Sequence, residues 1–135
     1  MEFSGFLLKN NRGGILDRYI QFNTYSSTPN KRETLIEYRD DNTRNLTRVM
    51  SVGKKSDLVF TTTPVDLQGK NEIQKFFKES MVDELERKIQ LTYWNDEDNE
   101  YRTSFFYLPD ILFVIKKINS NNIFYQPFTV SLIEY

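Results

Sequence analysis

Apolar residues alternate with polar ones along most of this chain, which is the pattern of strands that bury one face. The clearest example is the segment 86–94, where Ile89, Leu91 and Tyr93 fall on one side. Clusters of turn-forming residues separate such segments at short intervals, as they do in antiparallel sheets. The pattern predicts strands at residues 3–8, 18–25, 33–38, 46–52, 58–63, 86–94, 100–108, 111–118 and 123–135.

One segment, residues 68–82, has the period of a helix instead. Its apolar side chains recur at offsets of three, four and eight, so they share one helical face. Asp66 stands just before the segment and is predicted to cap its first turn. The residues on the apolar face are Ile73, Phe76, Phe77 and Met81.

Together these elements predict a mainly β (α+β) fold, an antiparallel β-sandwich or barrel with one α-helix. Phe76 and Phe77 of the helix are expected to cover an open edge or end of the sheet. A length of 135 residues suits one domain, so a single β domain over residues 1–135 is expected. Turns are predicted at residues 10–14, 26–31, 39–45, 53–57, 95–99, 109–110 and 119–122.

Composition excludes several classes of catalytic site. The chain has no Cys and no His, which excludes disulfides, Cys nucleophiles, thiolate metal sites and a Ser-His-Asp triad. Lys plus Arg is 18 and Asp plus Glu is 19, a net charge of -1, which argues against a generic nucleic-acid binder. No apolar run is long enough for a membrane helix and no signal peptide is visible. We therefore expect no membrane span and synthesis in the cytoplasm.

Two segments resemble binding motifs without completing them. Residues 52–56 contain the Gly-Lys of a phosphate loop but lack the Gly that precedes it by five positions. The acidic segment 96–100 lacks the Gly and Glu that a calcium loop requires at its sixth and twelfth positions. The residue types leave a glycan hydrolase with two carboxylates open, although no pair is marked. The sequence therefore assigns no catalytic, cofactor-binding or metal-binding residue, and no enzymatic activity is expected.

Aromatic residues supply an alternative function. Aromatic side chains on strands stack bases in barrels that bind single strands, provided that a basic groove lies beside them. This alternative is a β-barrel binding module for single-stranded nucleic acid or carbohydrate. Its candidate residues are Phe105, Phe106, Tyr107, Phe124, Tyr125 and Phe128.

The C-terminal third carries a family resemblance. After the strand at 89–94 and an acidic turn, residues 101–107 follow the pattern Y-x-T-x-x-F-Y, and the chain closes on S-L-I-E at 131–134. This order resembles the end of small tail proteins of long-tailed bacteriophages of Gram-positive bacteria. The helix at 68–82 lies where that family has its helix, and residues 42–60 resemble the family's arm-like hairpin.

The resemblance implies a fold similar to that of phage tail-tube and distal-tail proteins. It implies a non-enzymatic structural virion protein, synthesised in the host cytoplasm and located in the tail, that forms a homo-oligomeric ring, usually six-fold. Implied partners are the tube, tape-measure and distal-tail proteins, and DNA would pass transiently. We expect five charged residues in the loops at 39–45 and 95–99, together with a neighbouring Arg, to contact adjacent subunits or rings. These candidates are Arg39, Asp41, Arg44, Arg48, Asp96 and Asp98.

Overall fold

A computed structural model of the chain describes residues 3–11 and 13–135, and describes the backbone alone at Ile15, 33–36 and 49–54. Within these residues the chain forms ten strands, one α-helix and two short 3₁₀ helices. The helical elements are α1 (Leu67–Ser80) and the 3₁₀ helices Ile15–Tyr19 and Phe22–Thr24. The strands are β1 (Leu8–Lys9), β2 (Ser26–Arg39), β3 (Leu46–Thr61), β4 (Val65–Asp66), β5 (Met81–Asp83), β6 (Lys88–Asn95), β7 (Glu100–Tyr107), β8 (Ile115–Asn119), β9 (Asn122–Tyr125) and β10 (Thr129–Glu134).

The strands form two antiparallel sheets. The large sheet has the order β1-β6-β7-β10-β3-β2, with β5 also paired to β6, and the small sheet has the order β4-β9-β8. The large sheet is curled. Strands β7 and β10 separate β3 from β6, yet the Ser56 hydroxyl on β3 lies 2.9 Å from the Tyr93 hydroxyl on β6. The predicted mainly β, antiparallel fold with one helix is therefore confirmed.

The apolar core lies inside the curl and under the helix. Alternate residues of β6 are buried, as the sequence pattern predicts. The rings of Tyr93 and Phe106 meet edge to face with centroids 5.4 Å apart. Asp66 caps α1 by accepting a hydrogen bond from the Gly69 amide at 2.9 Å, which confirms the predicted cap. The helical and β6 core residues are Ile73, Phe76, Phe77, Ile89, Leu91 and Tyr93.

The N-terminal part corrects two predicted strands. Residues 18–25, expected to be extended, lie partly in the two 3₁₀ helices, and the predicted strand at 3–8 is reduced to β1. Asp17 accounts for the shortened first strand, because its carboxylate accepts the amides of Leu7 at 2.6 Å and Leu8 at 3.2 Å. Those amides are then less available for a sheet, so tertiary contacts outweigh local β propensity.

Two predicted turns are also corrected, since residues 26–31 and 53–57 lie within the long strands β2 and β3. The β2–β3 register shifts between Thr28 and Lys31, and Asn30 there has φ of 52°. The turn-forming residues of this segment thus mark a β-bulge, in which one strand carries extra residues.

The last predicted strand, residues 123–135, is divided between two sheets, as β9 and β10. Pro127 lies in the break, where its missing N–H cannot join a ladder. The predicted strand at 111–118 also starts later, at Ile115. Just before it, the Phe113 ring packs against Phe128, with centroids 5.0 Å apart.

Candidate interaction surfaces

The outer part of the β2–β3 hairpin, residues 33–54, forms an arm that extends beyond the large sheet. At residues 57–61 strand β3 pairs with β10 as well as β2, whereas in the arm it pairs with β2. Every side chain from Glu37 to Arg48 is exposed. The seven β2 residues of the arm rise ~3.3 Å each, so the arm reaches about 23 Å from the body.

The arm tip is a tight turn that the side chain of Asp40 organises. Its carboxylate accepts the amides of Asn42 at 2.8 Å and Thr43 at 3.0 Å. These two hydrogen bonds favour the charged carboxylate and hold the pKa of Asp40 below its ordinary value. Arg44 closes the turn with φ of 65° and donates its amide to the Asp40 carbonyl at 2.8 Å.

Four predicted contact residues lie on this arm, and all four are exposed: Arg39, Asp41, Arg44 and Arg48. The Arg39 guanidinium donates to the Arg44 carbonyl at 3.1 Å, so the positive charge of Arg39 lies at the tip. Arg48 lies with its Nε 3.6 Å from the Glu37 carboxylate across the ribbon. The arm tip therefore presents charge of both signs to solvent.

The β6–β7 hairpin ends in a turn of the same design. The side-chain oxygen of Asn95 accepts the amides of Glu97 and Asp98, both at 3.0 Å. Asn99 has φ of 54° and donates its amide to the Asn95 carbonyl at 2.8 Å. Unlike Asp40, Asn95 is fully buried, and its amide nitrogen donates to the Asn30 side chain at 3.2 Å.

The other two predicted contact residues, Asp96 and Asp98, lie at this second tip and bind within the chain. Asp96 accepts a hydrogen bond from the Ser27 hydroxyl at 2.5 Å. Asp98 lies 2.7 Å from the Arg102 guanidinium. Between them, Glu97 pairs with Arg32 at 2.5 Å, and this hydrogen bond lowers the pKa of Glu97. The structure thus places the six candidates in two groups, four on the arm and two at its root.

A polar network, which the sequence did not reveal, fixes the root of the arm from inside. The Ser56 hydroxyl accepts the Asn30 amide at 3.1 Å and lies 2.9 Å from the Tyr93 hydroxyl. The carboxylate of Glu134 accepts the Ser56 amide at 2.7 Å and the Ser104 hydroxyl at 2.6 Å. This network joins β2, β3, β6, β7 and β10, so the arm leaves a braced platform.

The outer face of the large sheet carries exposed aromatic residues. Phe105 and Tyr107 point outward from β7, and Tyr135 donates its amide to the Phe105 carbonyl at 2.9 Å. The Lys88 ammonium lies 4.8 Å from the Phe105 ring and 4.7 Å from the Tyr135 ring. By contrast, the core buries three of the aromatic candidates for base stacking, namely Phe106, Tyr125 and Phe128.

A cleft of about 710 Å³, the basic cleft, opens beside the start of α1. Its charged side chains are Arg18, Lys116, Lys117 and Asp66. The Asp66 carboxylate is engaged by the Gly69 amide, and this hydrogen bond lowers the pKa of Asp66. The sequence showed the Lys116-Lys117 doublet, but the cleft itself joins segments that are far apart in the chain. Its other lining includes Tyr19, Pro64, Val65, Phe124 and Tyr125.

Comparison with known proteins identifies a family for the whole chain. Residues 1–135 match the model described as "Family of unknown function (DUF6711)". The chain belongs to this family. No curated protein and no solved structure matches it.

In the described part of the chain, no group of three or more acidic side chains is arranged to hold a metal ion. At the β6–β7 tip, Glu97 instead pairs with Arg32, and Asp98 pairs with Arg102. Among the described residues, no helix is both long and apolar enough to cross a membrane.

Proposed function

We propose that this chain is a structural virion protein, a ring-forming subunit of a bacteriophage tail at the tube, adaptor or distal-tail position. The observation that carries the proposal is the exposed arm, residues 33–54. A two-stranded ribbon exposed to water is marginally stable on its own. A neighbouring subunit would cover it and stabilise it, and the family resemblance has an arm-like hairpin at 42–60.

The side chains of the arm suit a contact with another protein. Tyr38 and Leu46 are exposed apolar residues near its tip. Arg39 and Arg44 are exposed beside them, and Tyr and Arg are both enriched at protein interfaces. The polar network fixes the root of the arm, which reduces the ordering that binding would otherwise require there.

In this proposal, the partners are further copies of the chain, arranged in a six-fold ring. Tube, tape-measure and distal-tail proteins contact the ring, and DNA passes through it transiently. The protein is made in the host cytoplasm and ends in the virion tail. Its role is assembly, with no catalytic step.

Quantitative peptide mass spectrometry on gradient-purified phage particles tests the location. We expect several copies of the chain per particle, in constant ratio to the other tail proteins. Absence from particles that contain every other tail protein would contradict the proposal.

A charge reversal at the arm tip tests the role of the arm. We expect Arg44→Glu to reduce the yield of assembled tails while leaving the thermal unfolding of the isolated protein unchanged, because the Arg44 side chain is exposed. Arg44→Lys is the matched control, since it keeps the charge. Normal particle yield and tail length with Arg44→Glu would count against a contact at this tip.

A second candidate function, a binding module for single-stranded nucleic acid or carbohydrate, is favoured by the outer sheet face. There Phe105 and Tyr107 are exposed, and Lys88 supplies a cation against the Phe105 ring. This function predicts saturable binding of mixed oligonucleotides or glycans at low salt. Phe105→Ala would abolish that binding without unfolding the protein, whereas Phe22→Ala, at another exposed aromatic residue, would not. Lack of binding by the unmodified chain removes this candidate.

A further inference from the structure

A rigid acidic turn follows the end of helix α1. Residues 83–86, here the acidic knob, join β5 to β6 and carry three carboxylates, on Asp83, Glu84 and Glu86. At the apex, Leu85 is 95% exposed, the highest value among the large apolar residues whose side chains the structure describes. A single exposed Leu is ordinary on a protein surface. Leu85 therefore indicates a binding contact only if its turn is held in place and a complementary surface is present.

The acidic knob is held from three sides. The Asp83 carboxylate accepts the amides of Leu85 at 3.0 Å and Glu86 at 3.2 Å. Arg87, with φ of 53°, donates its side chain to the Leu108 carbonyl at 2.8 Å. The Tyr135 hydroxyl donates to the Glu86 carbonyl at 3.2 Å. The Leu85 side chain is therefore presented on a pre-formed turn, which lowers the entropic cost of docking.

The basic cleft complements this knob in charge and in polarity. Arg18, Lys116 and Lys117 are three cations, and the one carboxylate of the cleft, on Asp66, already caps α1. The apolar side chain of Pro64 is exposed in the cleft and available to an aliphatic group. A volume of about 710 Å³ accepts a turn of several residues rather than one side chain.

Beside the cleft, the rest of the chain leaves apolar side chains of β8 uncovered. Every residue of β8 is exposed, although this strand carries Ile115 and Ile118. It also lies at the edge of the small sheet. Exposed apolar edges of this kind are usually covered or charged, and Lys116 and Lys117 supply the charge here. A docked partner with carboxylates would cover the apolar residues and pair with both lysines.

The positions of the two surfaces fit a head-to-tail contact. The basic cleft is lined by Asp66, Gln68 and Gly69 at the start of α1, and the knob begins at Asp83, three residues after the helix ends at Ser80. A helix of 14 residues separates its two ends by about 20 Å, at ~1.5 Å per residue. The two surfaces therefore lie at opposite ends of α1, where different neighbours can occupy them.

We infer that the acidic knob of one copy of this chain docks into the basic cleft of a second copy, with Leu85 as the apolar anchor. Such a contact is heterologous, since it uses two different surfaces, and its repetition gives a ring or an open filament. The inference rests on the proposed function for the expectation that the contacts close into a ring.

Two variants and their mixture test the contact by sedimentation velocity and native mass spectrometry of the full chain. Glu84→Lys with Leu85→Ser reverses one charge of the knob and removes its apolar anchor. Lys116→Glu with Lys117→Glu reverses two charges of the cleft. All four side chains are exposed, so each variant is expected to keep the circular dichroism and thermal midpoint of the unmodified chain. Lys75→Glu, an exposed reversal on α1, is the matched control.

We expect the unmodified chain and the control to form the same oligomer, and each double variant to be monomeric. A mixture of the two variants should give a 1:1 dimer and nothing larger, because one intact knob and one intact cleft remain. Three outcomes would overturn the inference: an unmodified chain that stays monomeric, variants that assemble normally, or a mixture that stays monomeric. Binding of inorganic phosphate or an acidic peptide to a monomeric chain would assign the cleft to another occupant and would also overturn it.

These outcomes are separable from failure of the proposed function. If the protein is present in phage particles but both double variants assemble, the virion proposal stands and the knob contact fails. If the mixture gives the 1:1 dimer but the chain is absent from particles, the contact stands and the virion proposal fails.

Discussion

The arm tip and the β6–β7 tip use the same turn in opposite surroundings. In each, an Asp or Asn side chain accepts two amides, and a residue of positive φ closes the turn four positions later. Asp40 does this in solvent at the end of the arm, whereas Asn95 does it in a fully buried position. The local sequence builds both turns, but only the second is also bound to another part of the body, through Asn30.

This difference separates two roles of charged loops that look alike in the sequence. The side chains of the β6–β7 tip are used within the chain: Asp96 binds Ser27, and Glu97 binds Arg32. Charges at the arm tip, such as that of Asp41, stand about 23 Å from the body and face solvent. We therefore assign stability to the β6–β7 tip, whereas interaction at the arm tip is a proposal.

The largest expected effect comes from removing the turn-forming side chain at each tip. Asn95→Ala should lower the free energy of unfolding by about 2–3 kcal/mol, because it removes hydrogen bonds from a buried site. Asp40→Ala removes the equivalent bonds from the exposed arm and should leave global unfolding unchanged. Urea unfolding followed by fluorescence of Trp94 measures both. Equal losses at the two sites would show that burial of the second tip contributes nothing.

The part of the fold encoded locally could be predicted from the sequence. The alternation in β6 and the helical spacing of Ile73 and Phe77 follow from one buried face, and both features are present. The first 3₁₀ helix could not be predicted, because its contacts reach distant parts of the chain: Asp17 holds the amides of Leu7 and Leu8, and Tyr19 bonds Glu72.

For the candidate surfaces too, one part could be predicted from local sequence and another part is created only by folding. The exposure of Arg39, Asp41 and Arg44 follows from their place in a charged turn. The pairing of Asp96 with Ser27 joins residues 69 positions apart, which no local pattern records. The basic cleft joins three separate segments around residues 18, 64–69 and 116–125, so it is visible only once the chain is folded. The phage resemblance remains a prediction.

A smaller effect is expected from breaking the bond between Arg32 and Glu97. The pKa of Glu97 is lowered in the folded state chiefly by its hydrogen bond to Arg32, whereas that of Asp40 is lowered by amides of its own turn. Arg32→Gln should therefore raise the pKa of Glu97 towards its ordinary value and leave that of Asp40 unchanged. Titration of both carboxyl groups by NMR measures this, and a shift of both would contradict the separation of the tips.

The same bond gives a pH dependence with a definite sign. A carboxyl group whose pKa is depressed by folding contributes stability above its unfolded pKa and loses it as the pH falls through the folded pKa. The unmodified protein should therefore exceed Arg32→Gln in stability at neutral pH. The difference should disappear in acid below the folded pKa of Glu97. If the unmodified protein were still more stable than Arg32→Gln at that acid pH, Arg32 would be acting through a group other than the Glu97 carboxylate.

The smallest expected effect is at Tyr25, close to the β6–β7 tip. Its hydroxyl is buried and has no hydrogen-bond partner in the described part of the chain. Burial, aided by the charge of Asp96, raises the pKa of Tyr25 well above its ordinary value. Tyr25→Phe removes an unpaired polar atom, so stability should be unchanged or higher by up to about 1 kcal/mol. Tyr38→Phe on the arm is the matched control and should change nothing.

Alkaline pH sharpens this last comparison. Folding raises the pKa of Tyr25, so the unfolded chain releases this proton first, at about pH 10, and ionisation then favours unfolding. The unmodified protein should therefore lose stability above that pH relative to Tyr25→Phe, whereas Tyr38→Phe should follow the unmodified protein. Urea unfolding at pH 7 and above pH 10 measures both. Since Asn95→Ala and Tyr25→Phe each delete a buried polar group, a loss at Tyr25 as large as that at Asn95 would mean that the hydroxyl does have a partner.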